Sequence, residues 1–276
     1  MAVTQGPYRL LALDLDGTLL RHDKTVDARD VAAIRELAAS GVTVTIVTGR
    51  LHSGSVEAAR ACAIEGPIAC MEGSHIVHAV TEQTLSHHPL SHGITEILRD
   101  TFRAHGLASF VFGAGGIDHD AQGHAYAEYV STWSPKLGLV AEALHADVWA
   151  NQPLAAVAIG EAGPIQAAHA LLKEQDLFSV AFPIFRYEGK HAILARANGP
   201  SKGTALAELC RGAGCTVDEA VVVGDWVNDV PMFEVAGRSF VMGNAPDFVR
   251  AKASDALTRA AGEGGGIAEA IRLAWG

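Results

Sequence analysis

The sequence predicts an α/β protein, a mostly parallel sheet flanked by helices and interrupted by a separate α+β module. Three observations predict it. Over roughly the first eighty residues, short β-rich runs alternate with helical patterns in the order β-α-β-α-β. Between about 81 and 197 the texture changes, with His, Gly and aromatic residues becoming more frequent, and after it the α/β texture resumes.

Residues 9–15 read as a buried strand. Asp27 can cap a helix whose Val31, Ile34, Leu37 and Ala38 recur at helical spacing, and Gly41 supplies its stop. Val42, Val44 and Ile46 alternate with Thr43 and Thr45, predicting a second strand that ends at Thr48-Gly49-Arg50. A helical stretch over 53–63 and a strand over 67–71 follow. In the middle piece, strand-like runs at 155–159 and 179–185 flank a helical pattern at 165–173. The chain then predicts a helix over 202–211, a strongly hydrophobic strand over 220–223, a short strand over 239–242 and a closing helix over 266–275. Residues 262–266 read as a flexible turn, and no internal repeat or low-complexity tract is found.

With 276 residues, 49% of them apolar and 19% charged, the chain can bury a large core, which excludes a disordered linker. The net charge of −10 argues against nucleic acid and anionic membrane as partners, since both recruit a basic footprint. No run approaches the roughly 18 apolar residues of a membrane span. Asp14 and Asp16 interrupt the apolar N-terminal stretch, which lacks a basic region, so a secretory signal is not expected. Cys62, Cys70, Cys210 and Cys215 form no CxxC pair, which fits a reduced, cytoplasmic setting.

Asp14 and Asp16 fall two residues apart at the end of the first strand, so the strand period projects both carboxylates to one side. Ligands collect outside the carboxyl ends of strands in open α/β sheets, and Mg²⁺ would relieve the repulsion of two acids there. The bland alternative is that Asp16-Gly17 opens a turn and Asp14 caps a backbone amine. A second acidic cluster, Gly224-Asp225-Trp226-Val227-Asn228-Asp229, again follows a buried strand. If the two strands are parallel neighbours, four carboxylates converge on one sheet edge with the capacity to hold a divalent cation. A helix-capping Asp229 would explain one acid, not the set. Thr48 offers a hydroxyl and a backbone N–H to a phosphate oxygen, and Lys202 adds a point charge at a helix start. Taken singly, Thr-Gly is a common strand-to-helix turn, and a Lys in Ser-Lys-Gly is more often solvated.

These motifs together resemble the haloacid dehalogenase-like hydrolases, specifically the Cof-type (subfamily IIB) branch with a large C2-type cap. The matching residues are Asp14-Leu15-Asp16-Gly17-Thr18-Leu19-Leu20, Thr48-Gly49-Arg50, Lys202-Gly203, Gly224-Asp225 with Asn228-Asp229, and Met242-Gly243-Asn244-Ala245. The resemblance implies a Rossmann-like core domain over 1–82 and 191–276, with an inserted α+β cap over 83–190 that selects the leaving group. It implies that Asp14 attacks a phosphate monoester to form an aspartyl-phosphate, and that Asp16 is the acid/base. Mg²⁺ would be held by the Asp14 carboxylate, the Asp16 backbone carbonyl and Asp225, with Asp229 assisting. Thr48 and Lys202 would complete the phosphoryl cradle, with Gly49 and Arg50 beside it, and Asn228 would orient the phosphate.

Two positions depart from that family's pattern. Trp226 replaces a residue that is often small, and is expected to pack under its loop rather than narrow the entrance. Glu72-Gly73-Ser74 stands where Asn-Gly-Ala is common, and an acid there would repel an anionic leaving group. Of the remaining features, His75, His78, His87, His88 and His92 lack partners at ligand spacing and read as surface or hinge histidines. Gly113-Ala114-Gly115-Gly116 reads as a turn of the cap, and Trp133, Lys136, Arg186 and Lys190 as its surface.

The expectation is therefore a Mg²⁺-dependent phosphatase of small phosphorylated metabolites, with sugar phosphates as the leading class. A phosphomutase or phosphotransferase using the same aspartyl-phosphate is the enzymatic rival. A phosphometabolite-binding or signalling protein is the rival from another class, against which the second acid, Asp16, counts. The oligomeric state is not legible.

Overall fold

The computed structural model describes residues 7–276. In chain order the elements are β1 (Leu10–Leu13), α1 (Ala28–Ala39), β2 (Thr43–Ile46), α2 (Val56–Ala61), β3 (Pro67–Cys70), β4 (His75–His78) and β5 (Thr84–His87). Next come α3 (His92–Ala104), β6 (Ala108–Gly113), β7 (Gly116–His119), α4 (Ala127–Val130), β8 (Leu137–Leu139), α5 (Ala146–Trp149), β9 (Ala155–Glu161), α6 (Ala162–Leu172), β10 (Leu177–Pro183) and β11 (Lys190–Ala197). The chain closes with α7 (Lys202–Gly212), β12 (Ala220–Gly224), α8 (Val230–Phe233), β13 (Arg238–Val241), α9 (Asp247–Arg250), β14 (Asp255–Ala256) and α10 (Gly266–Trp275). Two compact units result, one from 7–86 with 201–276 and the other from 87–200.

The first unit is built on a parallel sheet in the order β14-β13-β12-β1-β2, with β1 between β12 and β2 in register Leu10↔Ala220 and Leu10↔Thr43. Alternate residues serve opposite faces. Leu11, Leu13, Val221 and Val223 join one apolar core with Ile34 and Leu37 of α1 and Ile267 and Ile271 of α10. Leu10, Ala12, Ala220 and Val222 join a second core with Leu206 and Leu209 of α7. Both faces of the sheet are thus buried, which is why these strands read as unbroken hydrophobic runs. Asp27 caps α1 by accepting from the Arg29 N–H, and Ser201 caps α7 with a reciprocal Thr204 bond. The stretch expected as one helix over 53–63 is a 3₁₀ turn at His52–Gly54 followed by the short α2.

The second unit carries a sheet in the order β10-β11-β9-β6-β7-β8, antiparallel except for β7 and β8. Leu98 and Phe102 of α3 and Ile165, Ala168 and Leu172 of α6 pack on Val111, Ala156, Ala158, Ile193 and Ala195 of that sheet. Gly113 pairs with Gly116 at the tip of the β6–β7 hairpin, so the Gly-rich run there is a turn. The boundary expected after residue 190 lies about ten residues later, because β11 pairs antiparallel with both β9 and β10. No described helix is long and apolar enough to cross a membrane.

Candidate active site

The acids sit where strands end. Asp14 follows β1 directly, and its N–H still donates to Val223 of β12 at 3.0 Å, which ties it to the neighbouring strand's end. β12 ends at Gly224, where a Cβ would lie 2.4 Å from Asp229 Cγ. Asp229 then folds back, its Oδ2 accepting from the N–H groups of Asp225 at 2.8 Å and Trp226 at 2.9 Å. Gly17, at φ +77°, leaves the space that Asp225 fills; a Cβ there would stand 2.2 Å from Asp225 Oδ2. Asn244, from the loop after β13, donates to Asp225 Oδ2 at 2.9 Å and to the Gly17 carbonyl at 3.0 Å.

Lys202 opens α7 from the opposite side and is 0% exposed. Its Nζ donates to Asp14 Oδ1 and to Asp229 Oδ1, each at 2.6 Å. It is not the solvated helix start that its local sequence favours. Burial disfavours the Lys202 ammonium, but Asp14 and Asp229, then Glu72, outweigh that and hold its pKa well above the ordinary lysine range. Burial pushes the Asp14 carboxyl well up, against the pull of Lys202, and Asp229 and Asp225 push it further. Asp225 is raised to about 7, by burial first and by Asp229 next. Carboxylate oxygens of Asp14, Asp225 and Asp229 lie within 4.8 Å of one another. Three carboxylates face one ammonium, so their full ionisation would leave about two negative charges uncompensated. A divalent cation with a preference for oxygen fits that donor set and that deficit.

Asp16 does not join this cluster. β1 ends at Leu13, so the strand period no longer governs residue 16, and the Asp16 side chain is 49% exposed. Arg50 holds it in a fork, with Nε on Oδ2 at 2.6 Å and a terminal nitrogen on Oδ1, and Lys24 adds a contact at 3.3 Å. Partial burial opposes ionisation, yet the Arg50 bonds prevail and lower the Asp16 pKa. Thr48 is buried beside them, but its N–H, expected to serve a phosphate, donates to Ala69 at 2.9 Å and extends the sheet. Its hydroxyl accepts from the Arg50 N–H at 3.2 Å and keeps its own proton to donate. The Gly49 N–H makes no hydrogen bond to a described residue and supplies the second donor of this turn.

Asn228 does not reach the Asp14 cluster directly; its Nδ2 donates to Glu72 Oε1 at 2.9 Å. Trp226, expected under its loop, is instead 51% exposed and meets the exposed Phe248 edge to face at 6.2 Å. The Asp229 fold turns the Trp226 backbone inward, so its side chain points away. In the sequence Asn244 is legible only as part of a loop, since its role depends on Gly17 lying across from it. Among the described residues, the carboxylate cluster is the one grouping of three or more metal-ligating side chains. His78 Nδ1 accepts from Val80 and Thr81 N–H groups, and His92 pairs with Glu96 at the surface. Arg186 and Lys190 are engaged by Glu128 and Glu161, and burial lifts the Cys62, Cys70 and Cys210 thiols to about 12.

Residues 11–271 match the haloacid dehalogenase-like hydrolase family. The chain is 28% identical to the pyridoxal phosphate phosphatase YbhA of Escherichia coli, over 89% of this chain and 92% of that one. It is 27% identical to the 5-amino-6-(5-phospho-D-ribitylamino)uracil phosphatase YitU of Bacillus subtilis, over 96% and 97%. In fold it resembles a haloacid dehalogenase-like hydrolase from Bacteroides thetaiotaomicron, with a TM-score of 0.83 at 22% identity, over 96% of this chain and 99% of that one. On that family match over nearly its whole length, the chain belongs to the haloacid dehalogenase-like hydrolases, in their Cof-type branch, and is a phosphoric monoester hydrolase.

Proposed function

We propose that the protein hydrolyses small phosphorylated metabolites, sugar phosphates foremost, through an aspartyl-phosphate on Asp14, with Mg²⁺ as its cation and the cytoplasm as its compartment. The observation that carries the reading is the placement of Asp14. It is 5% exposed at a strand end, and Lys202 holds its Oδ1 while its Oδ2 accepts no hydrogen bond from a described residue. That free oxygen attacks phosphorus as the ester P–O bond breaks, and Asp16 passes a proton to the departing oxygen. Asp16 then takes a proton from water as the water oxygen attacks the phosphoryl group, which releases phosphate and restores Asp14. Lys202, the Thr48 hydroxyl and the Gly49 N–H steady the phosphoryl oxygens, with Arg50 beside them and Asn228 orienting the ester. Asp14, the Asp16 carbonyl and Asp225 would hold Mg²⁺, with Asp229 fixing the loop, and the ion supplies the positive charge that this acidic site lacks. The second unit serves as the cap that sets the leaving group.

Phosphate release from sugar phosphates, nucleotides and phosphorylated cofactors, with Mg²⁺ or chelator, tests the reading. Metal-dependent release lost in Asp14→Asn supports it. No release from any ester by folded, Mg²⁺-loaded protein overturns it, and a long-lived phosphorylated Asp14 or transfer to an added alcohol would favour the signalling or phosphotransferase alternative.

A further inference from the structure

Glu72 places a carboxylate beside the phosphoryl cradle that the hydrolytic chemistry does not use. It follows the buried strand β3, and the three residues Met71, Glu72 and Gly73 all take left-handed backbone angles, with φ of 48°, 57° and 93°. Two of them carry a Cβ, which in that conformation crowds the following carbonyl oxygen. The turn is held by the Met71 N–H on the Arg50 carbonyl at 2.9 Å and the Glu72 N–H on the Thr48 carbonyl at 3.0 Å. Backbone strain kept at a strand end, where a ligand is expected, signals that a side chain is being aimed. The aim is visible in the neighbours. Asn228 donates to Glu72 Oε1 at 2.9 Å, a Cβ on Gly49 would lie 2.6 Å from that same oxygen, and Glu72 contributes to the field on the Lys202 ammonium. Its Oε2 accepts no hydrogen bond from a described residue.

We propose that Glu72, oriented by Asn228, is a specificity-determining residue that contacts the alcohol part of the phosphate ester. It selects esters whose alcohol part is neutral or cationic and carries a hydroxyl or amino group near the ester oxygen, and it disfavours those bearing a second anion there. The proposal rests on the phosphatase reading above. Oε2 is free to accept a hydrogen bond from a hydroxyl or ammonium group, and the carboxylate repels a carboxylate or second phosphate. A role in fastening Asn228 alone does not require the charge, since the carbonyl of a glutamine accepts the same bond. A fixed negative charge beside a phosphate site lowers affinity for every phosphate ester. Its presence is therefore explained by discrimination rather than by binding.

The test compares kcat/KM for glycerol 3-phosphate, 2-phosphoglycolate and p-nitrophenyl phosphate in the Mg²⁺-loaded wild-type protein and in Glu72→Gln. The wild type is expected to prefer glycerol 3-phosphate over 2-phosphoglycolate by tenfold or more. Glu72→Gln, which keeps an acceptor for Asn228, should narrow that ratio about tenfold, the order set by one like-charge contact in a partly screened site. A wild type that handles the two esters equally, or a Glu72→Gln protein with unchanged preference, overturns the assignment while leaving the phosphatase reading intact. Failure of the wild type to turn over any of the three, p-nitrophenyl phosphate included, overturns the phosphatase reading and the assignment with it. Should Glu72→Gln not fold, the wild-type ratio and Glu72→Asp, expected to keep the same direction of preference, decide the question.

Discussion

Lys202 Nζ stands 2.6 Å from Asp14 Oδ1, although the two residues are 188 positions apart and neither is appreciably exposed. The same nitrogen bonds Asp229, so one ammonium ties together the ends of β1 and β12 and the start of α7. Lys202→Met removes that tie and leaves two buried carboxylates without a cation. Breaking a buried pair from one side costs about 3–5 kcal/mol. The metal-free variant should therefore melt well below the wild type, and added Mg²⁺ should recover part of the loss. Thermal unfolding with and without Mg²⁺ reads both, and an unchanged melting temperature would refute the structural role.

Gly17 and Asp225 are complementary in shape, because a Cβ at 17 would stand 2.2 Å from Asp225 Oδ2 and the backbone there is left-handed. Gly17→Ala should displace the Asp225 carboxylate and weaken Mg²⁺ binding tenfold or more, with a separate backbone cost of about 1 kcal/mol. Calorimetric titration of Mg²⁺ into the variant checks the first effect. Retained affinity would remove Asp225 from the cation site.

The raised Asp225 carboxyl gives a pH dependence with a definite sign. It titrates at about 7 when folded, with burial as the main cause, against about 3.9 in an unfolded chain. Between roughly pH 4 and 7 the folded state binds more protons here, so stability without metal falls as pH rises through that window. Lys202, held above its ordinary value, keeps its contribution until pH rises through the folded value, and Asp16, held below, keeps its own at all pH above about 4. Neither cancels the trend. The metal-free melting temperature should drop by a few degrees from pH 5 to 8, and Mg²⁺ should stabilise more at pH 8 than at pH 5 because it displaces a proton. Equal stabilisation at both values would speak against binding at Asp225.

Arg50 lowers the Asp16 pKa through its forked bonds. Since an alkyl phosphate needs a proton on its leaving oxygen, kcat/KM for such an ester should fall as pH rises through the Asp16 value. Arg50→Leu should move that limb to higher pH. The profile for p-nitrophenyl phosphate, whose leaving group departs without a proton, should not show the shift. A limb that stays in place would separate Asp16 from the proton transfer.

Trp226 and Trp275 make a contrast in stability. Trp226 is half-exposed and meets the exposed Phe248 edge to face, so Trp226→Ala should cost no more than about 1.5 kcal/mol. Trp275 is 2% exposed, stacks edge to face on Tyr8 and donates its indole N–H to the Tyr8 carbonyl at 3.1 Å. Trp275→Ala should cost about 3–5 kcal/mol. Denaturant unfolding of both variants measures the difference.

Sequence by itself determined the elements whose causes are local. The Asp27 cap, the alternation of Thr43 to Ile46, the uninterrupted apolar run of β12 and the closing helix Gly266–Trp275 all follow from neighbours a few positions away. It also placed acids after two strands, which brought Asp14, Asp225 and Asp229 together once β1 and β12 paired. Only the tertiary structure decided the rest. Lys202 became a buried ion-pair centre, Asp16 turned to Arg50, the Thr48 N–H went to Ala69, and β11 joined the second sheet. Trp226 faced outward because Asp229 captured its backbone N–H. Apart from Trp226, whose captor Asp229 lies in the next turn of the same loop, each of those outcomes depends on a partner remote in sequence, as Arg50 is from Asp16 and Asp14 from Lys202, and on how far water is excluded from the pair, quantities that the local pattern of residues does not carry.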